Sequence, residues 1–88
     1  MRIKMRIYGR VQGVGFRWAA ARKAEVLELR GYVRNCEDGC VETEVDGGAQ
    51  VVETYRAWCK IGPRGAKIEK VDEEESSGAG DYVRFEIK

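Results

Sequence analysis

Segments whose apolar residues recur at every second position alternate along the chain with segments whose apolar residues recur at helical spacing. This pattern restricts the possible folds more than any other feature of the sequence. Residues 2–8, RIKMRIY, alternate cationic and aliphatic side chains, which is typical of a half-buried strand. Residues 16–29 place apolar side chains at helical spacing and predict a helix. Its apolar face comprises Trp18, Ala20, Ala21, Ala24 and Leu27. The stretches 30–35 and 41–45 flank an Asp-Gly turn signal and predict a β-hairpin.

The second half of the chain continues with a helix and further strands. Residues 47–63 predict a second helix that is entered after Gly47-Gly48 and stopped by Gly62-Pro63. Its apolar face comprises Val51, Val52, Tyr55, Trp58 and Cys59. The stretch 66–77 predicts a short edge strand, followed by a solvated polar loop that contains Glu73, Glu74 and Glu75. SSGAGD, residues 76–81, predicts a turn or a mobile tip, and YVRFEIK, residues 82–88, predicts the final strand.

This order of elements, βαββαβ, predicts an α+β protein with a ferredoxin-like α/β sandwich. We expect a mostly antiparallel four-stranded sheet, with room for an extra edge strand, and two helices on one face. A chain of 88 residues is short, so we expect one domain spanning 1–88. The fold hosts many unrelated functions and leaves the activity open.

Composition narrows the class of protein. With 43% hydrophobic and 35% charged residues, the chain is typical of a soluble folded protein. No apolar run approaches the roughly 20 residues of a membrane span, and the N-terminus lacks a signal-peptide pattern. We therefore expect a cytoplasmic protein with no membrane partner. The chain has one Asn and two Gln beside abundant Glu, Lys and Arg, and this composition is shifted towards that of thermophilic proteins.

The chain has three cysteines and no histidine. Cys36 and Cys40 can face each other across the hairpin turn, which permits a disulfide, but three free thiols are the favoured interpretation in a cytoplasmic protein. Without histidine or a CxxC pair, we expect no zinc site and no other metal or cofactor. The absence of histidine also removes the commonest general base.

Charge is unevenly distributed between the two halves. Residues 1–35 carry nine Lys and Arg against two acids, a balance of +7, whereas residues 36–88 carry seven against thirteen, a balance of −6. The basic half indicates either an anionic partner or a solvated sheet face.

The stretch YGRVQGVGFR, residues 8–17, connects the first strand to the first helix and contains three glycines. A helix N-terminus leaves backbone N–H groups without partners, and a glycine-rich curve can turn successive N–H groups towards an anion. Arg17 can then grip two phosphate oxygens with its planar guanidinium. A tight turn with an exposed arginine explains this stretch equally well. The stretch lacks the Gly-Lys-Ser or Gly-Lys-Thr ending of a nucleotide P-loop.

Asn35, the only asparagine, ends a strand just before the hairpin turn. Asparagine at such a position is often only a turn residue. Its amide can also hold a water molecule, because it offers a donor and an acceptor without a charge that repels an anion.

Together, IYGRVQGVGFR and GYVRNCEDGCVETEVDG resemble the acylphosphatase family, with both segments in the family's order and spacing. The resemblance extends through AWCKIGPRGAKIEKV and covers nearly the whole chain. It implies hydrolysis of the carboxyl–phosphate bond of an acyl phosphate to a carboxylate and inorganic phosphate, without a metal or a covalent intermediate. It implies that Arg17 binds the phosphate and that Asn35 orients the attacking water. The implied phosphate-binding residues are Val11, Gln12, Gly13, Val14, Gly15, Phe16 and Arg17.

Two positions depart from the family pattern. Related sequences usually have Gly in place of Glu28, so we expect the first helix to end differently, because Glu is strained in a left-handed cap. Trp often stands in place of Tyr32, an aromatic exchange that we expect to be harmless.

Three other functions compete with this hypothesis. RGYV is faintly similar to the start of an RNA-binding motif, but the full motif is missing and the acidic half disfavours a nucleic acid partner. Acylphosphatase-like domains also begin a larger hydrogenase-maturation carbamoyltransferase, and a small regulatory domain could bind its ligand without turnover. We expect a monomer, with Trp18, Trp58 and Tyr55 in the core rather than in a binding site.

Overall fold

The computed structural model describes residues 1–76 and 82–88. The strands and helices in this part of the chain, in order, are β1 (Arg2–Arg10), α1 (Phe16–Val26), β2 (Arg30–Asn35), β3 (Val41–Asp46), α2 (Ala49–Cys59), β4 (Lys67–Ser76) and β5 (Phe85–Ile87). The predicted turn at 76–81 lies, apart from Ser76, outside the described residues. Neither α1 nor α2 is long and apolar enough to cross a membrane.

The strands form one sheet in the order β4-β1-β3-β2-β5. Strand β1 is antiparallel to both β3 and β4, and β2 is antiparallel to β3. Only the edge pair β2 and β5 is parallel among the described strands. Helix α1 therefore links β1 to β2 across the intervening β3. This is the split βαβ arrangement of the ferredoxin-like fold, so the predicted fold class is confirmed.

The last two strands exchange the roles that the sequence predicted for them. Strand β4 spans ten residues and pairs with β1 along its whole length, so it is the fourth strand of the fold. Strand β5 has only three residues and is the extra edge strand. The apolar alternation fades in β4 because Glu73, opposite Met5, points towards α2 and pairs there with Arg56 and Lys60. The predicted loop at Glu73, Glu74 and Glu75 was wrong for this reason.

The core lies between the sheet and the two helices. Strand β1 contributes Ile3, Met5 and Ile7, as its alternation predicted. The buried residues of the helices are Phe16, Ala20 and Ala24 in α1 and Val52, Tyr55 and Cys59 in α2. Trp58 is partly buried, with its ring centroid 5.5 Å from that of Phe16.

Trp18 was wrongly predicted to lie in the core, because 72% of it is exposed. Phe16, Ala20 and Ala24 follow one another at intervals of four, and this stripe faces the sheet. Trp18 lies two positions from Phe16, on another side of the helix. Periodicity alone could not decide which of two neighbouring stripes packs inward.

Helix α1 ends at Val26 in a Schellman motif. The N–H of Leu29 donates to the carbonyl of Ala24 at 2.8 Å, and the N–H of Glu28 donates to that of Glu25 at 3.0 Å. Glu28 occupies the left-handed position with a φ of 57°. The expectation that α1 would end differently was therefore wrong: the chain keeps the turn that glycine favours and accepts the strain of a side chain there.

The face of the sheet opposite the helices carries a network around Glu42. The Nε groups of Arg6 and Arg34 donate to the Glu42 carboxylate at 3.0 and 2.9 Å, and the Tyr32 hydroxyl donates to it at 2.7 Å. Burial alone would raise the Glu42 pKa, but these three hydrogen bonds hold it at about 2. Tyr32, which stands where related sequences often have Trp, thus contributes a hydroxyl to this network.

Candidate active site

The segment between β1 and α1 is an open glycine loop. Gly13 and Gly15 both have a φ of 78°, in the left-handed region that favours glycine. A Cβ at either position would meet nothing within 4 Å, so this side of the loop faces open space. Gly15 is the N-cap of α1, and the turn therefore leads straight into the helix.

The N-terminus of α1 offers unpaired backbone donors to this open side. The first hydrogen bond of the helix runs from the N–H of Ala19 to the carbonyl of Gly15 at 3.0 Å. The preceding N–H groups of Phe16, Arg17 and Trp18 have no acceptor within the helix. No side chain caps the helix, and its first turn contains no acidic residue. Partial positive charge at such an end favours an anion.

Gln12 ties the loop to the β2–β3 hairpin. Its Nε2 donates to the backbone carbonyls of Cys36 and Cys40, at 2.9 and 3.0 Å. The side chains of Val11 and Phe16 are buried, so these two residues can offer a ligand only their backbones. The predicted phosphate-binding loop therefore has two buried side chains as its frame and the Gln12 side chain as its anchor, and it leads to backbone N–H groups without an acceptor in the helix.

Arg17 lies in the first turn of α1 and is half-buried. Its Nη1 donates to the backbone carbonyl of Lys88 at 3.3 Å, and the N–H of Lys88 in turn donates to the carbonyl of Val33 at 2.8 Å. Within residues 1–76 and 82–88, no carboxylate pairs with Arg17. Its guanidinium therefore has donors left for an anion. The contact with Lys88 was not predicted, because it depends on the parallel pairing of β5 with β2.

Asn35 is the last residue of β2 and pairs with Val41 of β3. It lies two residues from the buried Val33, so both side chains are on the helix-covered face of the sheet. In the part of the chain that the structure describes, the Asn35 amide makes no hydrogen bond. An uncommitted amide at a strand end can hold a water molecule.

These contacts bring the predicted site residues to one end of the sheet. Gln12 bonds to Cys36, the neighbour of Asn35, and Arg17 is joined through Lys88 to Val33, two residues before Asn35. The glycine loop and Arg17 are therefore both tethered to the part of β2 and its hairpin that carries Asn35. This arrangement can bind a phosphoryl group and present a water molecule to it.

The hairpin turn beside Asn35 carries Cys36 and Cys40. Both are free thiols, as is Cys59 in α2. Burial, together with the neighbouring Cys36 and Asp38, raises the Cys40 pKa to about 12, so this thiol is protonated at neutral pH. Cys40 is therefore a poor nucleophile for the phosphoryl group.

Comparison with known proteins identifies the family that shares these features. The acylphosphatase family profile matches residues 3–87. An acylphosphatase of Syntrophotalea carbinolica is 43% identical over 100% of this chain and 96% of its own length. One of Synechococcus sp. is 48% identical over 81% of this chain, which corresponds to 61% of that relative. The crystal structure of acylphosphatase from Bacillus subtilis superposes with a TM-score of 0.95 at 31% identity, covering 99% of this chain and 97% of that one.

The same fold also occurs inside a much longer protein. The crystal structure of full-length HypF, in a phosphate- and nucleotide-bound form, matches 99% of this chain with a TM-score of 0.86 at 27% identity. The match covers only 11% of that chain.

Proposed function

The chain belongs to the acylphosphatase family, and on that premise we propose that it hydrolyses acyl phosphates to a carboxylate and inorganic phosphate. The substrate class is a small molecule with a carboxyl–phosphate anhydride. Such a substrate is already activated, since its carboxylate leaving group needs little protonation. A chain without histidine can therefore carry out the reaction by positioning and charge stabilisation.

Binding of the phosphoryl group falls to the loop and to Arg17. The N–H groups at the start of α1 donate to its oxygens, and Gly13 and Gly15 keep the approach open. The Arg17 guanidinium donates to two further positions on the same group. These donors act most strongly as charge spreads over the phosphoryl oxygens in the transition state.

Asn35 supplies the second half of the mechanism. Its amide holds a water molecule in line with the bond between phosphorus and the acyl oxygen. The water oxygen forms a new bond to phosphorus, and the acyl–oxygen bond to phosphorus breaks with its electron pair leaving on the carboxylate. The proton released by the water passes to a phosphoryl oxygen, which serves as the base.

One set of contacts supports this function above the others: Gln12 and Arg17 tie the glycine loop and the start of α1 to β2 and its hairpin, and β2 ends at the uncommitted Asn35 amide. A tight turn with a purely structural arginine would not require a free amide beside it. The acidic second half of the chain also disfavours a polyanionic partner.

The direct test is phosphate release from benzoyl phosphate, with a chelator present and with Arg17→Ala as the comparison. We expect turnover by the wild type and almost none by the variant. Phosphate binding without release, measured by calorimetry, would instead identify a regulatory domain. Salt-sensitive binding of single-stranded RNA without phosphate release would favour the nucleic acid alternative.

The remaining expectations complete the proposal. We propose that residues 1–88 form one acylphosphatase-like domain that works as a monomer in the cytoplasm. The free thiols support a reducing compartment. Light scattering tests the monomer, and fractionation of the source cells tests the location. The composition also favours a thermophilic source. Thermal unfolding tests this, because we expect a midpoint far above the usual mesophilic range of about 45–65 °C.

A further inference from the structure

The hairpin turn between β2 and β3 gathers three potential metal ligands that the proposed reaction does not use. The thiols of Cys36 and Cys40 and the carboxylate of Asp38 place one ligand atom each within 4.8 Å of one another. Among the described residues, no other group of His, Cys, Asp and Glu side chains meets this criterion. From the sequence we expected no zinc site, because the chain lacks histidine and a CxxC pair, and the sequence did not place Asp38 beside the two thiols.

The backbone of the turn holds the three side chains together without any ion. The N–H of Cys36 donates to the carbonyl of Cys40 at 2.9 Å, and the N–H of Gly39 donates to the carbonyl of Cys36 at 3.1 Å. The Asp38 Oδ1 accepts the N–H of Cys40 at 3.1 Å, which leaves its second oxygen free of this bond. Gly39, with a φ of 96°, allows the chain to close tightly. Little rearrangement is therefore needed for the three groups to meet one ion.

We propose that Cys36, Asp38 and Cys40 form a binding site for a thiophilic divalent cation of the zinc type. Zinc takes Cys sulfur and carboxylate oxygen at roughly 2.0–2.3 Å and prefers four ligands in a tetrahedron. The protein supplies three, and water completes the set from the solvent side, where Asp38 is exposed. On binding, each thiol releases its proton to solvent and bonds to the cation through sulfur. Two sulfur ligands disfavour Mg²⁺ and Ca²⁺, which take oxygen ligands.

The site is next to the phosphate loop but separate from it. Gln12 bonds to the backbone carbonyls of Cys36 and Cys40, whereas the cation would use their side chains. None of the N–H groups at the start of α1 is consumed. The proposal consequently stands whether or not the chain hydrolyses acyl phosphates, and its test does not use activity.

The experiment is a titration of the reduced protein with Cd²⁺ under argon, followed by the ultraviolet sulfur-to-cadmium charge-transfer band. We expect saturation at one Cd²⁺ per chain and loss of the band when Zn²⁺ competes. Cys36→Ser, at a half-buried position, should abolish the band. Removing even an outer partner of a metal ligand weakens binding by about 10–100-fold, so Asp38→Asn should weaken it at least about tenfold.

Cys59→Ala is the matched control, because it removes a cysteine that lies in α2 outside the ligand group. Its band should equal that of the wild type. Circular dichroism on each variant separates loss of binding from loss of folding, and Cys36→Ser and Asp38→Asn give two independent tests if one variant fails to fold. A wild type without the band, or an undiminished band in Cys36→Ser, would overturn the proposal.

Discussion

Arginines lie on both sides of the sheet, and their surroundings differ. On the open face, Arg6 and Arg34 each donate to the buried carboxylate of Glu42. Arg17 lies at the start of α1. Within the described residues, its guanidinium donates one hydrogen bond, to the backbone carbonyl of Lys88 at 3.3 Å. A guanidinium that already has a carboxylate is part of the scaffold. One that has only a carbonyl retains both its charge and its geometry for an anionic ligand.

The same contrast holds along a single strand. Arg34 and Asn35 are neighbours in β2 and point to opposite faces of the sheet. Arg34 belongs to the Glu42 network, whereas the Asn35 amide makes no hydrogen bond within the described part of the chain. The Glu42 network thus belongs to the scaffold, whereas Asn35 has an uncommitted amide at the proposed site. Four substitutions test this division.

The largest effect is expected for Arg17→Ala. Without the guanidinium, the transition-state charge loses its strongest side-chain donor, and turnover should fall by roughly 10³-fold or more. Arg34→Ala is the matched control: it removes an arginine from the carboxylate network and should leave turnover per folded molecule unchanged. Steady-state kinetics with benzoyl phosphate measure both. Equal losses in the two variants would erase the distinction between the two arginine environments.

Asn35→Ala should lower kcat by about 10²-fold while phosphate binding survives. The physical reason is that the amide positions the water and does not hold the phosphoryl group. Inhibition by inorganic phosphate provides the binding measurement. An unchanged kcat would refute the role of Asn35, and loss of phosphate inhibition would make it a binding residue instead.

Glu42→Gln should destabilise the protein by about 2 kcal/mol without changing the kinetics of the folded enzyme, because a buried carboxylate loses its charge-assisted hydrogen bonds while the two arginines stay partly solvated. The amide nitrogen of Gln would face donors from Tyr32, Arg34 or Arg6, and the buried network would lose its charge. Urea unfolding at neutral pH measures the free energy of unfolding. A loss of activity beyond the unfolded fraction would show that this network reaches the site.

The same network predicts how stability depends on pH. The Glu42 pKa is lowered from 4.5 to about 2, so the unfolded chain binds its proton at a higher pH than the folded one does. Hydrogen bonds from Arg56 and Lys60 likewise lower the Glu73 pKa. The contribution of these two carboxylates to the free energy of unfolding is therefore fully present above pH 4.5 and is lost as the pH falls towards 2. Glu42→Gln should flatten this decline, and an unaltered acid profile would contradict the assignment.

The smallest effect is expected for Glu28→Gly, which should stabilise the protein by about 1 kcal/mol. Glycine relieves the left-handed backbone at the Schellman turn, where Glu28 has a φ of 57°. Glu25→Gly, the same exchange inside α1, should instead destabilise by about 1 kcal/mol. Thermal unfolding of the pair should give shifts of opposite sign. Destabilisation by both would show that the Glu28 side chain supports the fold.

Sequence patterns predicted the fold class because alternation and helical spacing are local consequences of burying one face of each element. They predicted the β2–β3 hairpin from its Asp-Gly signal. They predicted the loop before α1 from its glycines, and Gly13 and Gly15 indeed have positive φ angles, which favour glycine. They failed where a partner distant in sequence decided the outcome. The Glu73 strand depends on cations of α2, and the exposure of Trp18 depends on which stripe of α1 meets the sheet.

Local residue patterns were sufficient for the order of strands and helices, the glycine turn before α1 and the residue types available for binding a phosphoryl group. The assembled fold decides that Arg17 contacts the Lys88 carbonyl rather than a carboxylate, and that Asp38 lies beside two thiols. Residue type and local spacing set backbone preferences over a few positions. Charge pairing and side-chain packing join residues far apart in the chain, and their result exists only once the sheet has assembled.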